Sequence, residues 1–208
     1  MMSLPEQIIT VKQFHELTFK EKGSEFIAQV YPIINPENAE ELLETVRKKY
    51  YDATHNCFAY KFLSEVQRYS DDGEPSGTAG IRILNAIEHF NLTNLLLVVT
   101  RYFGGTKLGV GPLGKAYYAS AISVLEEVEK KERLLFERII AKINISSISQ
   151  LYRIISIYQG KVEKSNFQDD AVIEIIVQPR YINLLKNDLI ELLRGKIEIN
   201  STGKQLYL

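Results

Sequence analysis

Cysteine is almost absent from the 208 residues: Cys57 stands alone, with three histidines beside it in the composition. An internal disulfide is therefore excluded, which suits a reducing compartment, and a thiolate-rich zinc site is excluded with it. Net charge is nearly absent as well, with 25 Lys and Arg against 26 Asp and Glu for a formal charge of −1. That balance argues against the chain-wide positive field of a dedicated duplex-DNA binder and leaves room only for a local basic patch. Met1–Thr10 lacks a basic start followed by an apolar run, and the longest aliphatic run, Leu95–Val99, is far too short to span a bilayer. There are no internal repeats and no low-complexity segments. What is present, 45% hydrophobic and 25% charged residues, is ordinary globular composition. A cytoplasmic protein of one large or two small domains is expected, with no membrane partner.

Up to residue 133 the pattern alternates between strand-like and helix-like stretches. Glu16–Lys20 and Ser24–Tyr31 read as two strands joined near Lys22-Gly23. Asn35-Pro36-Glu37 starts a helix, with Asn35 as cap and Pro36 at the first helical position. Asn56–Phe62 suits a strand, and Ala79, Ile83, Ala86, Ile87 and Phe90 have helical spacing. Leu95–Tyr102 is continuously apolar, as a buried strand is. A glycine-rich stretch, 104–114, then leads into a helix with Leu113, Tyr117, Ala121, Val124 and Val128 on one face.

The charge cluster Glu126–Arg133 marks the expected boundary, giving domains 1–133 and 134–208. Beyond it the expectation is a strand over Phe136–Asn144 and a helix over Ile148–Tyr158 burying Ile148, Leu151, Tyr152 and Ile155. A hairpin of Lys161–Phe167 and Ala171–Gln178 follows, then a helix from Pro179 and a short strand Lys196–Asn200. That order, β-α-β-β-α-β, is the ferredoxin-like arrangement, so the fold class is α+β.

Three stretches carry chemistry. His55 and Cys57 alternate on one strand and face the same side; a metal pair and a nucleophile–base pair both compete with a packed thiol. Arg68, Ser70, Asp71, Asp72 and Glu74 form an acidic loop whose hard oxygens suit Mg²⁺ or an oriented water, while Asp-Gly and Glu-Pro also make plain turns. No metal is assigned, Mg²⁺ being the one candidate. Arg101, Gly104, Gly105, Lys107 and Lys115 lie where a strand passes through glycines into a helix, a geometry that aims N–H groups at an anion. The alternative is that the glycines serve tight turns and close packing.

Gly109–Ala116 matches a P-loop up to its last position. Ala116 stands where the Mg²⁺-binding hydroxyl belongs, Pro112 removes an N–H, and the P-loop reading is rejected. Ala171–Val177 shows no exposed stacking aromatics of the kind that RNA-recognition sheets use, and packed core is expected there.

Together His55–Tyr60, Arg68–Gly80 and Thr100–Gly109 closely resemble the YigZ/IMPACT family from about Gly23 to Leu125. The resemblance implies an N-terminal domain similar to the second domain of ribosomal protein S5. It also implies a C-terminal domain similar to one of the translocation elongation factor. Eukaryotic relatives regulate translation by competing for a ribosome-associated activator of a starvation-responsive kinase. After Gly109 the chain departs from the family pattern, with Lys115 where relatives carry Arg, so a forked donor becomes a point charge. The expected function is a translation-associated regulatory or binding protein engaging RNA, the ribosome or a ribosome-associated protein. In that reading Arg101, Lys107 and Lys115 contact phosphates, and Asp71, Asp72 and Glu74 meet a basic partner or hydrated cation. A metal-assisted hydrolase or transferase on a small phosphorylated or nucleotide ligand, and a pure protein-binding adaptor, are the competing expectations.

Overall fold

The three-dimensional structure is a computed structural model that describes residues 4–63 and 66–208; the first residues of the Met1–Thr10 stretch lie outside it. Two compact units divide the chain. One is Ile9–Glu132; the other is Arg133–Leu208 together with the described residues before Ile9, which the expected boundary had placed in the first domain.

In the first unit a five-stranded sheet has the order β2 (His15–Glu21), β3 (Ser24–Pro32), β6 (Leu95–Tyr102), β4 (His55–Lys61), β5 (Gln67–Ser70). Every neighbouring pair is antiparallel. Lys22 and Gly23 both have positive φ, 46° and 80°, which is the two-residue turn whose twist matches a hairpin.

The side-chain period of two distributes β6 between two faces. Leu95, Leu97 and Val99 pack with Cys57, Ala59, Phe26 and Ala28 against helices α2 (Gly80–His89) and α3 (Val110–Glu127). Leu96 and Val98 pack with Phe58 and Tyr60 against α1 (Pro36–Lys49). The unbroken apolar run therefore reflects helices on both faces of an antiparallel sheet rather than a parallel one. Helix α1 begins as its residues dictate: the Asn35 side chain accepts from Asn38 N–H at 2.7 Å, and Pro36 occupies the first turn.

In the second unit β7 (Lys130–Ile143), α4 (Ile148–Ile157), β8 (Lys161–Phe167), β9 (Ala171–Val177), α5 (Pro179–Leu192) and β10 (Ile197–Tyr207) follow in turn. The sheet order β10-β7-β9-β8, all antiparallel, is the ferredoxin-like topology. Its core is aliphatic, with Ile139, Ala141, Ile173, Ile175 and Val177 against Leu151, Ile155, Leu185 and Leu189.

Several elements differ from expectation. β1 (Gln7–Val11), which pairs with β7, and the polar edge strand β5 were not foreseen. β10 runs to Tyr207 instead of stopping at Asn200. Tyr152 is 39% exposed on α4, its hydroxyl 3.3 Å from Ser165 Oγ, because the buried stripe runs through Leu151, Ile154 and Ile155. Among the described residues no helix is long and apolar enough to cross a membrane.

Candidate functional site

The loop between β5 and α2 is organised by one carboxylate. Asp71 Oδ1 accepts from the N–H groups of Ala79 and Gly80, and Oδ2 from that of Gly77, each at 2.9 Å. Helix α2 has no cap of its own, since Ala79 makes no side-chain cap bond, so Asp71 reaches across the loop to satisfy the free donors and the positive end of the helix dipole. Asp72 Oδ2 accepts from Asn56 N–H at 2.6 Å, and Ser70 Oγ from Asp72 N–H at 3.1 Å. Asp72 and Gly73 both turn through positive φ, 43° and 88°, and deliver the next residue, Glu74, inward.

Glu74 is buried, its side chain 3% exposed. Its Oε1 accepts from Arg101 Nη1 at 2.6 Å and from the Tyr117 hydroxyl at 2.8 Å. Arg101 comes from β6 on the face shared with Leu97 and Val99, and its side chain is 6% exposed. It donates also to Ser24 Oγ at 3.2 Å and lies 5.5 Å from the ring centres of both Phe26 and Phe103. A buried charge is tolerated only when paired and hydrogen-bonded, and this one is both.

Cys57 Sγ sits 3.0 Å from the Asp71 carbonyl and 3.3 Å from the Tyr117 hydroxyl. Burial above all, with the charges of Glu74, Asp72 and Asp71 adding to it, pushes the Cys57 thiol well above the ordinary range. Burial likewise raises Tyr117, helped by Cys57 and Glu74. Cys57 is accordingly a packed, protonated thiol and not a nucleophile.

His55 Nδ1 lies 2.7 Å from the Asp72 carbonyl. A carbonyl can only accept, so Nδ1 carries a proton and Nε2 is the ring nitrogen turned toward the cleft. That Nε2 is 3.8 Å from Glu74 Oε2. Both line a cleft of about 420 Å³ whose other walls include Thr54, Pro75, Arg101, Phe103, Lys107, Leu108, Val110 and Leu113.

The end of the acidic loop, Glu74 and Pro75, and the bend after β6, Phe103 and Lys107, line one hollow. Asp71 directs both oxygens at backbone N–H groups, whereas Asp72 gives Oδ2 to Asn56 N–H and keeps Oδ1 3.9 Å from Arg47 Nη2. Arg101 is committed to Glu74. Arg68 lies on β5, not in the loop, and pairs with Glu40 at 2.5 Å.

Gly104 gives its N–H to Ser24 Oγ, and a Cβ there would stand 1.9 Å from Gly23, so this glycine serves close backbone approach. Gly105 has φ +86° with open space around it. Lys107 is exposed at the cleft, with no ion pair among the described residues. Lys115 lies outside the cleft, in a separate groove with Arg82, Asn85 and Tyr118.

Sequence reasoning passed over Tyr117, Thr54 and Phe103 as parts of this site. The available signal was Arg101 itself, since a cation on an otherwise apolar strand requires a carboxylate partner.

The fold and this cleft define a two-domain α+β protein with its polar cluster in the N-terminal unit. The model of the Impact N-terminal domain matches residues 22–125. The chain is 31% identical over 201 residues to IMPACT family member YvyE of Bacillus subtilis, covering 96% of this chain and 92% of that one. It is 36% identical over 102 residues to Protein IMPACT of Oryctolagus cuniculus, covering 46% of this chain and 32% of that protein. A solved structure described as a hypothetical protein superposes with a TM-score of 0.72 at 23% identity, covering 97% of this chain and all of the other. The chain belongs to the IMPACT family.

Proposed function

We propose that the protein is a cytoplasmic, translation-associated binding protein that engages RNA, the ribosome or a ribosome-associated protein through the cleft of its N-terminal unit. Family membership supports the regulatory role in translation. The observation that carries the binding mode is where charge points. Asp71 turns both oxygens to backbone N–H groups and Glu74 Oε1 is taken by Arg101 and Tyr117, whereas Lys107 is exposed at the cleft beside the half-exposed Phe103 ring. A lip that offers a cation with no ion pair among the described residues and an aromatic suits a phosphate-bearing partner rather than a basic one.

Co-sedimentation of the full chain with ribosomes, with and without nuclease and across a salt series, tests this reading. Binding that weakens as salt rises, and weakens further in Lys107→Glu, supports it. Association indifferent to salt and to nuclease points to a protein-binding adaptor instead.

One observation favours the enzymatic reading on a phosphorylated or nucleotide ligand: His55 is held with Nε2 open beside Glu74 in the cleft. A metal bridge through Asp71 draws no support from oxygens that already accept backbone N–H groups.

A further inference from the structure

Helices α2 and α3 carry almost no negative charge where they meet. The one acid of α2, Glu88, pairs with Lys61 at 3.5 Å, and α3 has none before Glu126. Arg82 and Asn85 stand three apart on α2, while Gly111, Gly114, Lys115 and Tyr118 fall at helical spacing on one face of α3. Together they line a groove of about 450 Å³. Gly114 opens it: a Cβ there would lie 3.3 Å from Arg82 Nε and 3.7 Å from Arg82 Cγ, so the arginine stem rests against bare main chain. The other arginines of this unit, Arg47, Arg68 and Arg101, pair with Glu44, Glu40 and Glu74. Arg82 and Lys115 are exposed and, among the described residues, make no ion pair. Two like charges across a groove repel, and an anion lying between them is held by both.

The groove also adjoins the cleft. Gly109, Val110 and Leu113 line the cleft and Gly111 and Gly114 the groove, so the two hollows are two sides of the first turns of α3. From this arrangement we infer that the α2–α3 groove holds the phosphodiester backbone of a single RNA strand that continues from the cleft. Arg82 offers a planar fork and Lys115 a point charge to its phosphates, and Asn85 offers an amide beside them. The Tyr118 ring, packed on the core of the unit, gives a base an aromatic wall. An acidic peptide would pair with the cations but bring no flat partner for that ring. The inference rests on the proposed engagement of RNA and adds a second contact to it.

The test uses the full chain and a 5′-labelled decauridylate, read by fluorescence anisotropy across a potassium chloride series. Each lost phosphate contact lowers the slope of log affinity against log salt by about 0.7. Arg82→Gln/Lys115→Gln should therefore lose about 1.4 in slope and about 25-fold in affinity at 0.1 M salt, with the unfolding midpoint kept. Tyr118→Leu should weaken binding about fivefold at every salt concentration. Arg153→Gln/Lys204→Gln, which removes as much charge from the second unit, should keep the parental slope. A parental slope in the groove double variant overturns the inference, and so does an equal loss in the second-unit variant, which would make the effect one of net charge. Displacement of the strand by poly-L-glutamate at equal charge concentration assigns the groove to an acidic protein segment and overturns it too. Lys107→Glu separates the inference from the reading beneath it. A loss there with a parental slope in the groove variant leaves the cleft without the groove, and the converse leaves the groove without the cleft. If the strand does not bind while ribosome co-sedimentation persists, the groove assignment is wrong and the wider role survives.

Discussion

Among the described residues, buried polar side chains fall almost entirely between Thr10 and Ser120, in the first unit, with Gln178 the exception in the second. The ferredoxin-like unit sets aliphatic strands against aliphatic helix faces and leaves its charges outside, as with Arg138 and Glu163. The first unit instead closes Glu74, Arg101, Tyr117 and Cys57 under its sheet and helices. A core can be built without such a cluster, as the second unit shows, so the polar interior of the first is not required by the sheet-and-helix layering alone. Buried groups of this kind raise what is lost when one member is removed, and the cleft is where that cost coincides with access to a ligand.

The sharpest way to break this contrast is Arg101→Met, which leaves Glu74 buried and unpaired. A loss of about 3–5 kcal/mol is expected by urea unfolding, and a loss under about 1 kcal/mol would show that the pair is not closed. Leu151→Ala, at a fully buried site of the second unit, should cost about 2–5 kcal/mol through its cavity and leave the binding assays of the cleft untouched. Asp71→Asn should cost about 0.5–2 kcal/mol, as loss of a helix cap does, and amide exchange should quicken first at Ala79 and Gly80. If Asp71 served only to bind a ligand, stability would be unchanged.

Two smaller effects depend on pH. Cys57 holds its proton more tightly folded than unfolded, so its contribution is full below the ordinary thiol range and lost as pH climbs toward its raised value. At pH 8 its alkylation should therefore proceed only as fast as the unit opens; rapid labelling of native protein would contradict the packed thiol. In the second unit the hydrogen bond from Arg138 lowers Glu163. That contribution is present above the ordinary carboxylate range and fades as pH falls through the lowered value. Arg138→Ala should thus shift the acid midpoint slightly upward, and less at high salt.

Elements whose local chemistry agrees with their surroundings were legible from residues alone. Asn35-Pro36 opens α1, Lys22-Gly23 turns the hairpin, and the ferredoxin-like order follows from alternating periods. β5 was not legible, because Gln67–Ser70 is polar and exposed and earns its place only by pairing with β4. In the site, the hydrogen bonds that each segment makes are set by partners distant in the chain. An Asp-rich turn looks the same whether its oxygens face water or cap a helix, and only the Asp71 bonds to Gly77, Ala79 and Gly80 decide between them. Arg101 read as a phosphate contact because its partner, Glu74, is 27 positions away in the chain.

Gly104 and Gly23 touch main chain to main chain, with no room for a methyl group between them. The hairpin tip and the exit of β6 are in effect riveted at that point, and the lip of the cleft begins at the next residues. Phe103 and Lys107 can change rotamer at the rim without the strands parting. A single added carbon at position 104 would pry the rivet open, altering the rim while leaving every side chain that lines the cleft unchanged.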